Sequence, residues 1–242
     1  MRTIIAAIIG VVAAALIICA YIAKRSDRDI APKVTRFLIS LLPPVIGNLI
    51  IIVAHTEGFA LFGRYLYAIG IDVTMCCLLG FTLHYCGLKW NKTWRSILTA
   101  CVALDIAQLL CNPFFSHAFA PDMMIAYGAP YYNVHSYIGR NLHLVLVYAI
   151  MAAVLGLLFM KMIRGGKIYS EKYSIIFFLL LFTGAWEVFY IFFPNARKAI
   201  RYRIRYIWNT RVLFFSILQT YASSGSSAGR CGIRPDERSV FL

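Results

Sequence analysis

The residues of this chain that could do chemistry are a few polar side chains set among long apolar runs. An ionisable group at mid-bilayer costs about 2.5–3.5 kcal/mol on insertion scales, so each needs a physical role. Asp72, Asp105 and Glu187 are carboxylates, whereas Arg140 and His143 lie about one helical turn apart and so share a helix face. The full set of candidate ligand-binding residues is Asn48, Asp72, Asp105, His117, Tyr131, His135, Arg140, His143 and Glu187.

Three interpretations of this set are open. The side chains can satisfy one another and hold helices together, or form an outer polar pocket for a small extracellular or membrane ligand, or line a proton or ion pathway. The pathway is disfavoured because the inner half of the apolar runs carries almost no polar group. We expect Arg140 to be neutralised by one of the three carboxylates, since an unpaired guanidinium below the membrane interface would be costly.

Catalytic and cofactor chemistry finds no support in the motifs. The sequence has no P-loop, no Gly-x-Ser-x-Gly and no zinc-protease motif, and its seven cysteines form no Cys-x-x-Cys pair. His117, His135 and His143 could hold a metal, but their spacing matches no metal-binding motif. We therefore expect no enzyme activity, no catalytic residue, no metal and no cofactor.

The elements that position these residues are predicted to be transmembrane helices. The 242 residues are 61% hydrophobic and 14% charged, against about 25% charged in a soluble domain. This excludes a soluble enzyme, a secreted disulfide scaffold and a disordered chain. Apolar runs of roughly 20 residues match the length of a membrane-crossing helix. We expect an all-α polytopic bundle with six clear spans over residues 3–23, 37–53, 66–86, 94–111, 137–160 and 173–193, and a degraded seventh over 206–221.

The basic residues predict the orientation of this bundle. Cytoplasmic loops of membrane proteins carry an excess of Lys and Arg. The first, third and fifth connections are basic, whereas the connection 112–136 contains no Lys or Arg. We therefore place the N-terminus outside, and we attribute the net charge of +14 to loops beside the lipid bilayer rather than to nucleic-acid binding.

Two segments depart from a simple bundle. Pro43, Pro44 and Gly47 are expected to kink or break the second span. The connection 112–136 is rich in aromatic and histidine residues. It fits either an aromatic belt at the membrane surface or a lid over the polar side chains.

The last part of the chain breaks the charge pattern. After the sixth span the chain should emerge outside, yet residues 197–205 contain five basic residues, and a segment rich in Arg, Ser and Gly follows. We divide the chain into a membrane region, 1–196, and a basic tail, 197–242. We expect the tail to be read out of frame, because a shift of one nucleotide can encode an apolar span with a basic exit.

Several segments resemble the seven-transmembrane sensor region at the N-terminus of bacterial histidine kinases and diguanylate cyclases. They are CNPFFSHAFA, YGAPYYNVHSYIGRNLH, the fifth span and KMIRGGKIYSEKYSIIF. The resemblance covers residues 1–195. The positions that match are Asn112, Pro113 and His117 at the end of span four, Gly128 and Tyr131 before span five, and Tyr169 to Tyr173 before span six.

The resemblance implies a receptor module of the bacterial cytoplasmic membrane, commonly a homodimer, that passes a signal to a PAS, GGDEF or kinase domain. No GGDEF string, phosphoacceptor helix or nucleotide-binding motif follows, so we expect a truncated sensor without its output domain. The alternative is a small transporter or channel subunit. That class should show polar groups through the full membrane depth and a paired broken helix.

Overall fold

The computed structural model describes residues 2–27, 29–126, 129–164 and 167–192, and the predicted seventh span and basic tail lie outside these ranges. The described part is mostly helical, with one β-hairpin. Its elements, in chain order, are α1 (Arg2–Lys24), α2 (Ala31–Ser40), α3 (Leu42–Val53), α4 (Glu57–Tyr85), α5 (Lys92–Leu110), α6 (Asn112–Phe115), β1 (Phe119–Ala126), β2 (Ala129–Ser136), α7 (Ile138–Arg164) and α8 (Lys167–Phe192).

The helices fit the membrane character predicted from hydropathy. Within the described residues, five helical segments are long and apolar enough to cross a bilayer: Thr3–Lys24, Ala31–Val53, Glu57–Tyr85, Lys92–Leu110 and Ile138–Arg164. The predicted sixth span falls in α8, whose apolar stretch within the described residues is Tyr173–Ala185. Large apolar side chains are exposed along α1, α5 and α7, as expected of surfaces that meet lipid tails.

Helix α4 begins nine residues earlier than its predicted span, at Glu57 rather than at residue 66. The predicted span begins only at residue 66 because the charges of Glu57 and Arg64 lower the mean hydropathy of the residues before it. A helix, however, does not have to end where its apolar run ends. Glu57 lies in the first turn, where a carboxylate interacts favourably with the helix dipole. The extra turns carry α4 up to the hairpin.

The predicted break in the second span is confirmed. Helix α2 ends at Ser40 and α3 begins at Leu42, with Pro43 and Pro44 in its first turn. Pro44 has no N–H, so it cannot bond to the carbonyl of Ser40, four residues earlier. The hydroxyl of Thr74 on α4 lies 2.6 Å from that carbonyl oxygen and 2.8 Å from the carbonyl oxygen of Gly70. A neighbouring helix therefore supplies the missing donor.

Replacing Thr74 by valine should destabilise the protein by about 1–3 kcal/mol, because the buried carbonyl of Ser40 would lose its donor. Thr99 is a matched control, because its hydroxyl bonds only to the Arg95 carbonyl of its own helix and it is exposed. Thr99→Val should leave the thermal unfolding midpoint in detergent almost unchanged. Equal midpoints for the two variants would contradict this role of Thr74.

The described chain is mostly helical, as predicted, but one β-hairpin departs from an all-α fold. Strands β1 and β2 form an antiparallel hairpin, with Phe119 opposite Ser136 and Ala126 opposite Ala129. Strand pairing is decided by backbone hydrogen bonds between the two segments, which hydropathy does not detect. The hairpin is closed at its base where the N–H of Tyr137 donates to the carbonyl of Ala118, at 3.0 Å.

Candidate functional site

The candidate site residues that the structure brings together are Asp72 on α4, Asp105 on α5 and His143 on α7, here called the Asp–His cluster. Nδ1 of His143 lies 2.6 Å from Oδ2 of Asp105 and 3.3 Å from Oδ1 of Asp72. The three residues are 0%, 7% and 6% exposed, respectively. They form a buried cluster between three helices, which fits the interpretation in which the polar side chains satisfy one another and hold helices together.

The two aspartates of the cluster have unequal surroundings. Asp105 accepts hydrogen bonds on both oxygens, from Nδ1 of His143 and from Nε2 of Gln108 at 2.9 Å. Both oxygens of Asp72 are buried without a hydrogen-bond partner among the described residues. A buried polar atom without a partner is rare in folded proteins and needs an explanation. With both carboxylates ionised and the imidazole protonated, the cluster would still carry one uncompensated negative charge.

A chain of hydrogen bonds joins this cluster to the base of the hairpin. Nε2 of Gln108 also donates to the carbonyl of Gly139, at 3.0 Å, which orients the amide so that Oε1 faces the other way. Oε1 lies 3.1 Å from Nε2 of His117, which must therefore donate. The carbonyl of His117 in turn accepts from the N–H of Gly139, at 2.9 Å. A change at the hairpin can reach Asp105 through two side chains.

Asn112 fixes the hairpin to the helices. Its Oδ1 accepts from the backbone N–H groups of Ala118 and Phe119, at 2.6 and 3.1 Å. Its Nδ2 donates to the carbonyl of Phe119, at 2.8 Å, and to the hydroxyl of Tyr65 on α4, at 3.0 Å. The rings of Tyr65 and Phe119 also pack together, with centroids 5.0 Å apart. Because Asn112 is 3% exposed, these bonds are formed away from water.

Replacing Asn112 by aspartate should destabilise the hairpin by about 2 kcal/mol. The new oxygen would face the Phe119 carbonyl oxygen, where the amide now donates, and like acceptors repel. Asn91 is the control, because it caps α5 through its Oδ1 and aspartate caps equally well. Thermal unfolding in detergent, with limited proteolysis between residues 119 and 136, measures both variants. Equal sensitivity to protease would refute the anchoring role.

Other predicted site residues lie apart from the cluster. Asn48 is half-buried on α3, which supplies none of the three cluster residues. His135 is exposed on β2 and packs on Tyr137, with ring centroids 5.1 Å apart. The metal site considered from His117, His135 and His143 is therefore not formed among the described residues.

The pairing of Arg140 with a carboxylate stays a prediction. Among the described side chains, both Asp72 and Asp105 pair with His143, one turn further along α7. Arg140 itself is half-buried and has a partner in the structure. The third predicted partner, Glu187, and the candidate Tyr131 have side chains outside the described part of the chain.

Gln108 and Asn112 belong to the hydrogen-bond network of the candidate site but are not among the candidate residues predicted from the sequence. Gln108 lies three residues after Asp105 and therefore on the same helix face, which is a signal that the sequence does contain. Asn112 is part of the resemblance, at the end of span four. Neither residue carries a charge, and Asn112 lies at the end of its apolar run, so the cost of burying an ionisable group does not single them out.

Comparison with known proteins provides no assignment beyond this geometry. No protein-family model matches the chain, and no curated protein matches its sequence.

Proposed function

We propose that this chain is a membrane signal-sensing module of the bacterial cytoplasmic membrane, and that its stimulus acts on the Asp–His cluster. The observation that carries the proposal is the meeting of three buried ionisable side chains from three different membrane helices. A change of charge or of bound partner there changes the preferred separation of α4, α5 and α7. Such a packed cluster responds by moving between discrete arrangements.

Contacts at both ends of the bundle support this role. At one end the hydrogen-bond chain through Gln108 and His117 links the cluster to the hairpin. At the other end the ring of Tyr85 on α4 packs edge-on against Tyr173 on α8, with centroids 5.2 Å apart, and the Tyr173 hydroxyl lies 3.5 Å from the Tyr85 carbonyl. Helix α4 thus connects the cluster with α8. The resemblance to seven-transmembrane sensor regions agrees with this path.

The transporter alternative is less well supported. A transporter of the broken-helix type uses freed backbone carbonyls to coordinate its substrate. Here the carbonyl that Pro44 leaves free, that of Ser40, is occupied by the hydroxyl of Thr74. The cluster is also closed on all sides, with its members at most 7% exposed. These observations favour a site that is read through helix positions over a site that passes a solute.

An output assay tests the proposal. The full chain is fused in frame to a diguanylate cyclase domain, and the cyclic dinucleotide is measured in membranes. Asp72→Asn and Asp105→Asn should each change the basal output about fivefold or more, which is a typical coupling between sites. Thr99→Val, on the exposed face of α5, should not. Unchanged output in both aspartate variants, at equal protein levels, would refute the sensing role.

The orientation is part of the same proposal and has its own test. In a chain whose seven cysteines are replaced, Gly58→Cys, in the first turn of α4, should react with a membrane-impermeant maleimide in intact cells. Lys89→Cys, in the exposed loop between α4 and α5, should react only after the cells are opened. The reverse labelling would place the N-terminus, and the hairpin with it, on the cytoplasmic side.

A further inference from the structure

The Asp–His cluster has the composition of a metal site as well as of an ion pair. Within the described residues, it is the group of three potential ligands whose donor atoms all lie within 4.8 Å of one another. The donors are two carboxylate oxygens and one imidazole nitrogen, supplied by three separate helices. Sequence spacing could not reveal this site, because its ligands are 33 and 38 residues apart (72 to 105, 105 to 143).

The second observation is the state of Asp72. Its carboxylate is 0% exposed, it faces Nδ1 of His143 at 3.3 Å, and neither of its oxygens has a hydrogen-bond donor among the described residues. An isolated carboxylate in an apolar interior is strongly unfavourable, and buried charges are normally paired or coordinate a metal. Asp72 thus places carboxylate oxygens that lack a hydrogen-bond donor in the same space as the other two donor atoms.

The donor set selects the kind of ion. Imidazole suits zinc and neighbouring transition metals, whereas magnesium and calcium prefer sites made of oxygens alone. Two carboxylates and a neutral imidazole carry a total charge of −2, which balances a divalent cation. A low-dielectric interior favours such a neutral site. Gln108 donates to Oδ1 of Asp105, leaving Oδ2 to face the centre, as expected of an outer-shell group that orients a ligating carboxylate.

We propose that Asp72, Asp105 and His143 bind a divalent transition-metal ion, with Zn²⁺ as the best match. This inference rests on the proposed function for its role as the stimulus, because it names the ligand class of the sensing site. The ion takes the place of the proton that Nδ1 of His143 now shares with Asp105. Zinc bonds of about 2 Å to each atom hold the two further apart than 2.6 Å, so binding separates α5 from α7.

The first test is metal binding by the purified full chain in detergent, stripped with chelator and titrated with Zn²⁺ alone under equilibrium dialysis. We expect Asp72→Asn to weaken one site by at least about tenfold, because it removes a ligand. His84→Gln, at an exposed histidine near the end of α4 and outside the cluster, should bind as the native chain does. Equal binding by the native chain and Asp72→Asn would overturn the site.

A visible absorption spectrum of the native chain with cobalt(II) tests the metal site without requiring that any variant folds. Cobalt(II) replaces zinc in such sites and has visible bands that report its ligands. Nitrogen and oxygen ligands in a four-coordinate site should give intense visible bands without the near-ultraviolet charge-transfer band of a thiolate. A thiolate band alone would place the metal on the cysteines and overturn the inference.

The output assay separates this inference from the proposed function. Zinc bound at the cluster with no change in cyclase output would support the metal site and refute zinc as the stimulus. Absence of zinc binding, with output still altered by Asp72→Asn, would refute the metal site and support the sensing role.

Discussion

Replacing His143 by leucine is expected to lower the free energy of unfolding by about 3–5 kcal/mol, the range for removing one partner of a buried ion pair. His143 is the group that faces both aspartates, at 2.6 and 3.3 Å. Without it, Asp105 keeps only its bond from Gln108, and Asp72 loses the imidazole that faces it at 3.3 Å. Chemical or thermal unfolding in detergent micelles measures the loss.

Two further variants show whether charge is the cause. His135→Leu removes an exposed histidine and should change stability by less than about 0.5 kcal/mol. Adding Asp105→Asn to His143→Leu should recover part of the loss, because it removes one of the two uncompensated carboxylates. If the double variant is as unstable as the two single losses added together, the residues do not interact and the cluster is not formed.

A methyl group added at Gly47 is expected to lower the free energy of unfolding nearly as much as His143→Leu does. Helices α3 and α4 approach closely there: a Cβ at Gly47 would lie 2.7 Å from the Gly63 carbonyl oxygen and 2.7 Å from the Tyr67 backbone nitrogen. Both atoms belong to the backbone and cannot rotate away, so the helices would have to separate. Gly47→Ala should cost about 3 kcal/mol, at the upper end for overpacked sites. Small residues at such crossings are typical of membrane helix packing.

The matched control is Gly156→Ala on α7, where an added Cβ meets nothing within 4 Å. Because alanine favours the helix over glycine, this variant should be as stable as the native chain or slightly more stable, by up to about 1 kcal/mol. The thermal midpoints of the two variants should therefore move in opposite directions, or only the Gly47 variant should move. A Gly47 variant that matches the native chain would mean that α3 and α4 are not this close.

The positions of the helices could be predicted largely from the sequence, because apolar length is dictated by the bilayer. The break at Pro43 and Pro44 followed in the same way from the missing N–H groups. The early start of α4 at Glu57 and the hairpin 119–136 could not be predicted from apolar length or from missing N–H groups. Both depend on backbone hydrogen bonds formed outside the apolar runs, where hydropathy carries no information.

The residues of the candidate site could be predicted from the sequence, but which of them contact each other could not. Asp72, Asp105 and His143 were candidates because each is ionisable within an apolar run. Arg140 and His143 share a helix face, so sequence alone could not decide which of them faces the two aspartates. That choice depends on how α7 is rotated against α4 and α5, which follows from side-chain packing along the whole interface.

The measurement that tests the central claim most directly is the ¹⁵N magnetic resonance spectrum of the full chain in lipid bilayers, labelled at histidine. The chain has five histidines, and His143→Gln identifies the signals of His143 by their loss. With the metal removed, Nδ1 of His143 should carry a proton in a strong hydrogen bond, and its signal should shift in both Asp105→Asn and Asp72→Asn. A His143 signal that neither substitution moves would show that the three side chains do not meet, and would contradict the account.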